Sequence, residues 1–148
     1  MSKTYYIPEI ELVYKTGLAE KKKITDVQSA VNILRELFNK DTLLLTEEFI
    51  LLILNRANKT IAWVKIAQGG LDFVVPDLRM IYIYTLKAAG TGIIVAHNHP
   101  SGNINPSEAD KKMAEKLKKG CEILDIILLD SIILTDESYC SFKEEGII

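Results

Sequence analysis

Both histidines of this 148-residue chain lie in one stretch, IIVAHNHPSGNINPSEADKK, which covers residues 93–112. His97 and His99 follow an apolar run and have one asparagine between them. Because alternate residues of an extended segment point to the same side, the two imidazoles can be directed at one point. Imidazole nitrogens serve as proton carriers and as metal ligands near neutral pH. The pair is therefore the first place in the chain to look for chemistry.

Asp110 is a candidate third ligand. It lies eleven residues after His99, at the start of a predicted helix, and the loop PSGNINP has the glycine and prolines needed to fold back. Two imidazole nitrogens and one carboxylate oxygen would hold zinc and leave its fourth tetrahedral position for water, as in catalytic sites. Such a metal lowers the pKa of its bound water to roughly 7 and makes hydroxide available at neutral pH.

Each of these residues also has a structural interpretation. H-x-H pairs occur in polar loops without binding anything, and Ser107 with Asp110 has the S-x-x-D spacing of a helix capping box. Other metal chemistries fit less well. A nucleobase deaminase would need a P-C-x-x-C segment, and a carbonic-anhydrase-like site would need a third histidine. Neither is present, nor is H-E-x-x-H.

The composition is that of a soluble globular domain. Hydrophobic residues make up 48% of the chain and charged residues 26%, and 148 residues suffice for one hydrophobic core. A net charge of -2 argues against a dedicated nucleic-acid binder, which usually carries a basic excess. We expect a cytoplasmic protein with no membrane span, because the N-terminus lacks a secretory signal and the apolar runs are too short. Cys121 and Cys140 match no disulfide or metal spacing and are predicted to be buried, reduced thiols.

Five elements are predicted before the histidine stretch. Residues 5–15 predict an edge strand, and residues 25–40 predict an amphipathic helix. Two strands around a turn follow in residues 47–70, and the first is apolar on both faces and hence central in the sheet. The segment PDLRMIYIYTLKAAG predicts a helix with Pro76 in its first turn and Gly90 just after its last.

The histidine stretch joins a strand to a helix. TGIIVA predicts a short buried strand, PSEADKKMAEKLKKG predicts a helix with a lysine-rich outer side, and residues 123–142 predict two or three closing strands. Alternating strands and helices predict a layered α/β sandwich with a mixed sheet. We expect a single domain over residues 1–148, with a lead-in strand and connector in 1–24 and the core in 25–148.

The segment AHNHPSGNINPSEAD resembles the JAMM (MPN-plus) signature, H-x-H-P-[ST]-x(7)-S-x-x-D, and most closely the form found in the RadC family. EEFILLILNRANKTIAW and LLDSIILTDESYCSFKEEGII resemble the flanking strands of that family, so the resemblance covers roughly residues 25–148. It implies a three-layer α/β/α sandwich of the cytidine-deaminase-like (JAMM/MPN) fold. It also implies a zinc-dependent hydrolase that acts on peptide or isopeptide amides, with Zn2+ held by His97, His99 and Asp110.

The resemblance implies two further roles. JAMM proteases use a glutamate at the start of an early strand as general base, and the E-x-F pattern of the family selects Glu47. Glu48, which directly precedes Phe49, is the alternative. On a strand its side chain would point to the face opposite that of Glu47. The serine three residues before the aspartate helps to stabilise the oxyanion in the family, and here it is Ser107. That role is compatible with capping of the helix.

Two departures from the family pattern bear on function. RadC-like chains often have Asp-His near their closing strands, whereas this chain has Asp130 and Ser131. Full-length RadC proteins also carry an N-terminal helical region that 148 residues cannot include, which weakens the case for DNA association. The alternative to an enzyme is therefore a non-enzymatic RadC-like module in DNA repair or mobile-element biology, and a nuclease is a weaker third candidate. The following lysines could contact phosphate or an acidic partner, but are more typical of an exposed helix face: Lys111, Lys112, Lys116, Lys118 and Lys119.

Overall fold

Three helices and five strands are present in the computed structural model, which describes residues 6–11, 13, 20–69 and 74–148. The helices are α1 (Val27–Leu37), α2 (Leu78–Lys87) and α3 (Glu108–Ile123). The strands are β1 (Glu48–Leu54), β2 (Thr60–Gln68), β3 (Gly92–Asn98), β4 (Ile127–Leu134) and β5 (Tyr139–Ser141).

The strands form one mixed sheet in the order β2-β1-β3-β4-β5. Only the β3–β4 pair is parallel, and the other three neighbouring pairs are antiparallel. Every residue of β1 and of β3 is buried, which explains why both strands are apolar on both faces. The predictions of a mixed sheet and of central positions for these two strands are confirmed.

Helices cover both faces of the sheet. On one face, Leu34 of α1 packs in a cluster with Ile50 and Leu52 of β1. On the other face, Ile81 of α2 and Leu117 of α3 pack in a second cluster. Burying one such side chain completely is worth about 1.5–3 kcal/mol, so both clusters hold the layers together. The predicted three-layer α/β/α arrangement is confirmed.

The ends of α1 and α2 follow from local chemistry. Asp26 caps α1 and accepts a bond from the Ser29 N–H at 2.7 Å. Asp77 caps α2, so Pro76 lies before the cap and not in the first turn as predicted. After α2 the left-handed position is taken by Ala89, with φ 54°, and not by Gly90 as predicted. Gly90 is required for another reason, since a side chain there would overlap Ile53 of β1.

The predicted N-terminal strand is not found where the chain is described. Residues 6–11 and 13 belong to no strand, and positions 5, 12, 14 and 15 of the prediction lie outside the described residues. Pro8 lacks the N–H that a ladder needs, and Ile7 and Ile10 are 86% and 96% exposed. Lys23 pairs with Lys59 in an isolated bridge and brings the chain to the edge of the sheet.

Other predictions agree with the structure. The region after α3 forms two strands, β4 and β5. Cys121 and Cys140 are buried free thiols. Among the helices of the described ranges, none has the length and apolar character needed to cross a membrane.

Candidate metal centre

His97 lies near the end of β3, between β1 and β4. It is in register with Phe49 of β1 and with Ile133 of β4. Alternation along β3 places it on the same face as Val95, the face that α2 and α3 cover. The Phe49 ring stacks against the imidazole, with the ring centroids 6.0 Å apart and the planes 9° from parallel. These contacts hold the His97 ring at the carboxyl end of the strand with 3% of the residue exposed.

His99 is the second residue of the pair and directs its ring at the same point. Its backbone N–H donates to the carbonyl of Leu134 at 2.9 Å, which extends the pairing of β3 with β4 beyond the strand. The Nε2 atoms of His97 and His99 lie 3.1 Å apart. Gly102 follows in the left-handed region, with φ 82°, and turns the loop back.

Asp110 completes the group from the first turn of α3. Its Oδ1 lies 3.3 Å from Nε2 of His97, and its Oδ2 lies 3.5 Å from Nε2 of His99. Ser107 caps this helix: its Oγ accepts the Asp110 N–H at 3.0 Å, while its own N–H donates to Asp110 Oδ2 at 2.8 Å. The capping box is therefore present and fixes the Asp110 carboxylate with Oδ1 beside His97 and Oδ2 beside His99.

The three side chains fit a metal ion. Tetrahedral zinc with bonds of about 2.0–2.1 Å places its ligand atoms about 3.3 Å apart. The two Nε2 atoms are 3.1 Å apart, and one ligand atom from each of the three residues lies within 4.8 Å of the other two. Nδ1 of His99 lies 2.6 Å from the carbonyl of Asn103. Since a carbonyl only accepts, Nδ1 carries the proton and Nε2 presents a lone pair, as in metal sites with a supporting outer contact. Within the described residues, one group of acidic, histidine and cysteine side chains could hold a metal, and it is His97, His99 and Asp110.

Electrostatics couple the same three residues. In its protonated form His99 donates to the Asp110 carboxylate, and this hydrogen bond raises the pKa of His99 against the opposing effect of burial; the negative charge of Glu47 adds a smaller contribution. Burial of Asp110 opposes its ionisation, yet hydrogen bonds that His97 and His99 donate when their rings are protonated hold the pKa of its carboxyl well below the usual range. The carboxylate is therefore ionised near neutral pH, as a metal ligand must be.

Glu47 lies on the same face of the sheet as His97. It directly precedes β1, and two residues later Phe49 contacts His97, so alternation places both on one face of the sheet. Its Oε2 accepts the Val74 N–H at 3.1 Å.

Glu48 has a different environment. It is 2% exposed and lies on the face covered by α1. Its Oε1 is 3.3 Å from Lys65 Nζ and accepts a bond from the Thr42 hydroxyl at 3.3 Å. The structure thus places the two candidate bases on opposite faces, with Glu47 on the face of the histidines.

Two residues of this region were missed at the sequence level. The backbone carbonyl of Asn103 orients His99, and no pattern in side-chain types can indicate a backbone contact of this kind. Asn98 stands between the two histidines and uses its carboxamide in three hydrogen bonds to residues 43–48. A buried asparagine in an apolar strand was the available signal, because such a side chain requires polar partners.

Asp130 and Ser131, the two residues that depart from the family pattern, both lie in the interior of the fold. Asp130 is buried and accepts bonds from the Ser141 hydroxyl, the Ser131 N–H and the Lys143 N–H. Ser131 is also buried, and its hydroxyl has no partner among the described residues.

On the outside of α3, Lys111 pairs with Glu108 and Lys119 with Glu115 in exposed contacts; such pairs are worth about 0.3–0.5 kcal/mol.

Known proteins resemble this chain over most of its length. The RadC-like JAB domain family matches residues 24–147. A UPF0758 protein of Flavobacterium johnsoniae is 41% identical over 126 residues, which cover 85% of this chain and 54% of that protein. A UPF0758 protein of Aquifex aeolicus is 37% identical over 140 residues, covering 95% of this chain and 58% of the relative. The chain thus spans little more than half the length of these relatives. With the histidine and aspartate group between the end of β3 and the first turn of α3 and the match over residues 24–147, the chain belongs to the RadC-like JAB domain family.

Proposed function

We propose that this chain is a zinc-dependent metallohydrolase of the JAMM type that cleaves peptide or isopeptide amide bonds. One observation carries the proposal: the ligand atoms of His97, His99 and Asp110 lie within 4.8 Å of one another, on the face towards which Glu47 points. A nitrogen and oxygen ligand set of this kind suits zinc. When bound there, zinc would act as a Lewis acid and lower the pKa of a coordinated water to roughly 7.

Glu47 is the proposed general base. As a carboxylate it can take the proton of the attacking water and return it to the nitrogen of the departing amine. The Val74 N–H donates to one oxygen of Glu47 at 3.1 Å and so restricts the rotation of the carboxylate. The other oxygen is the one available for proton transfer.

Ser107 is the proposed oxyanion donor. Its Oγ already accepts the Asp110 N–H at 3.0 Å, and this bond uses a lone pair and leaves the hydroxyl proton free. The hydroxyl can therefore donate to the carbonyl oxygen of a substrate as negative charge develops there. A single donor of this kind typically contributes about 10²–10³-fold to kcat.

The test joins metal content with turnover. The purified protein is assayed for zinc by elemental analysis and for hydrolysis of a library of peptides and isopeptide-linked conjugates. We expect one zinc per chain, loss of zinc in His97→Ala and His99→Ala, and activity that a chelator removes and added zinc restores. Hydrolysis that persists in His97→Ala, or wild-type protein without metal, would contradict the proposal.

A non-enzymatic role is the second candidate. The family match over residues 24–147 fits such a module as well as it fits an enzyme, and the UPF0758 names of the relatives state no activity. Stoichiometric zinc without cleavage of any library member, together with binding of DNA or a protein partner, would support it. A nuclease is less well supported, because the described residues contain a single metal-binding group and many nucleases use two ions.

A further inference from the structure

Asn98 separates the two histidine ligands and faces away from them. It is the last residue of β3 and is fully buried. Because neighbouring residues of a strand point to opposite faces, its side chain lies on the face covered by α1 while His97 lies on the other. Burial of a carboxamide is favourable only when its polar atoms find partners, so the contacts of Asn98 indicate what it does.

The carboxamide of Asn98 makes three hydrogen bonds to one segment. Its Oδ1 accepts the Glu48 N–H at 2.7 Å, and its Nδ2 donates to the carbonyls of Leu43 and Thr46 at 2.8 and 2.9 Å. The partners also determine the orientation of the amide, since an N–H requires the oxygen and two carbonyls require the NH2 group.

These bonds lie where the β1–β3 ladder stops. The last pair of the ladder is Phe49 with His97, so Glu48 and Asn98 would come next. At this position the Asn98 carboxamide, and not the backbone of β3, accepts the hydrogen bond from the Glu48 N–H. The bonds to Thr46 and Glu48 also hold the chain on both sides of Glu47.

We propose that Asn98 is a positioning residue that sets the proposed base, Glu47, against the metal ligands. Asn98 holds both neighbours of Glu47 and is itself bonded to His97 through the main chain. Loss of the bonds from Asn98 to Thr46 or Glu48 would therefore let Glu47 move relative to the metal ligands. This role rests on the proposed function, because it matters only if Glu47 carries protons.

The central variant is Asn98→Ala, and Asn55→Ala is its matched control. Asn55 follows the opposite end of β1, and its Oδ1 accepts the N–H groups of Ala57 and Lys59, both at 3.0 Å. Each substitution removes hydrogen bonds between an asparagine side chain and the backbone of a segment that flanks β1, before the strand for Asn98 and after it for Asn55. Loss of stability is therefore expected in both, whereas a change at the base is expected only in Asn98→Ala.

Three measurements compare these variants with the wild type: zinc per folded chain, kcat and KM on the best amide substrate, and amide hydrogen exchange. In Asn98→Ala we expect zinc and KM to be unchanged and kcat to fall about 10²-fold, the typical effect of a misplacement of about 1 Å. Exchange should accelerate over residues 43–48. The double variant with Glu47→Gln should be no slower than Glu47→Gln alone, because the base is already lost. Asn55→Ala should keep the wild-type kcat.

The positioning role is wrong if kcat per folded chain is unchanged in Asn98→Ala, or if its loss adds in full to that of Glu47→Gln. It is also wrong if residues 43–48 exchange as they do in Asn55→Ala. Should Asn98→Ala not fold, Asn98→Asp takes its place, since it keeps the acceptor for Glu48 and loses both donors. Exchange needs no substrate, so the two proposals fail separately. A wild type without hydrolysis contradicts the proposed function, whereas normal exchange at residues 43–48 in the Asn98 variant contradicts the positioning role.

Discussion

Glu47 and Glu48 are consecutive in the chain, yet their carboxylates lie on opposite faces of the sheet. Glu47 accepts the Val74 N–H at 3.1 Å on the face of His97, whereas Glu48 lies 3.3 Å from Lys65 on the face covered by α1. Adjacent strand residues must diverge in this way. The register of β1 against β3 therefore decides which glutamate can serve the metal centre.

Glu47→Gln should separate catalysis from metal binding. Glutamine keeps the size of the side chain and an oxygen for the Val74 N–H, but it cannot take a proton. We expect the fold and bound zinc to be retained and hydrolysis to fall by about 10²–10⁴-fold. Steady-state kinetics on zinc-loaded protein provide the measurement. Wild-type rates in this variant would remove Glu47 from the mechanism.

Glu48→Gln is the matched change on the other face and should have the opposite effect. It weakens the contacts with Lys65 and Thr42, so we expect a loss of about 1–3 kcal/mol in the free energy of unfolding. The activity of the folded protein should stay near wild type. Urea unfolding and kinetics on the same preparation test this. If Glu48→Gln were inactive and Glu47→Gln active, the assignment of the base would have to be exchanged.

Asp110→Asn should distinguish the ligand from the capping residue. Asparagine can still accept the Ser107 N–H, but its NH2 group then takes the place of Oδ1 beside His97 and offers no lone pair. We expect stability within about 1 kcal/mol of wild type. Zinc affinity should fall by more than the roughly 10–100-fold that follows loss of an outer contact. Competition with a chromogenic chelator measures the affinity, and undiminished binding would leave Asp110 with its structural role alone.

Ser107→Gly should separate the cap of α3 from the oxyanion donor. Glycine at an N-cap costs only a few tenths of a kcal/mol relative to serine, but it removes the hydroxyl. We expect kcat to fall about 10²–10³-fold with zinc retained. Asp26→Gly in the capping box of α1 is the control, and it should leave kcat unchanged. Equal kcat values for the two variants would show that Ser107 only caps the helix.

The contribution of Asp130 to the free energy of unfolding should decrease as pH rises. Burial raises the pKa of its carboxyl, although hydrogen bonds from Ser141, Lys143 and Ser131 partly offset the effect. The folded state therefore holds this proton more tightly than the unfolded state, in which the pKa is about 3.9. The resulting stabilisation is complete below that value and is lost as pH rises through the folded pKa.

The check is the difference in unfolding free energy between wild type and Asp130→Asn, measured from pH 3 upward. Asparagine can keep an oxygen for the two N–H donors and does not titrate. The wild type should lose stability relative to the variant as pH rises. A difference that stays constant, or that changes in the other direction, would contradict the raised pKa.

Much of the fold and of the ligand set follows from local patterns. The i and i+2 spacing of His97 and His99 directs both rings to one point, and the S-x-x-D spacing of Ser107 and Asp110 produces a capping box. Runs that are apolar on both faces become the buried strands β1 and β3. Such features depend on strand alternation and on bonds between residues a few positions apart, so the sequence by itself determines them.

Other features depend on contacts between distant segments. Pairing of β1 with β3 decides that Glu47, and not Glu48, shares a face with His97. The bonds from Asn98 to residues 43–48 bridge about fifty positions of the chain. The close approach of Gly90 to Ile53 likewise requires α2 and β1 to be packed. Only the tertiary structure decides these features, because they join groups that no local spacing relates.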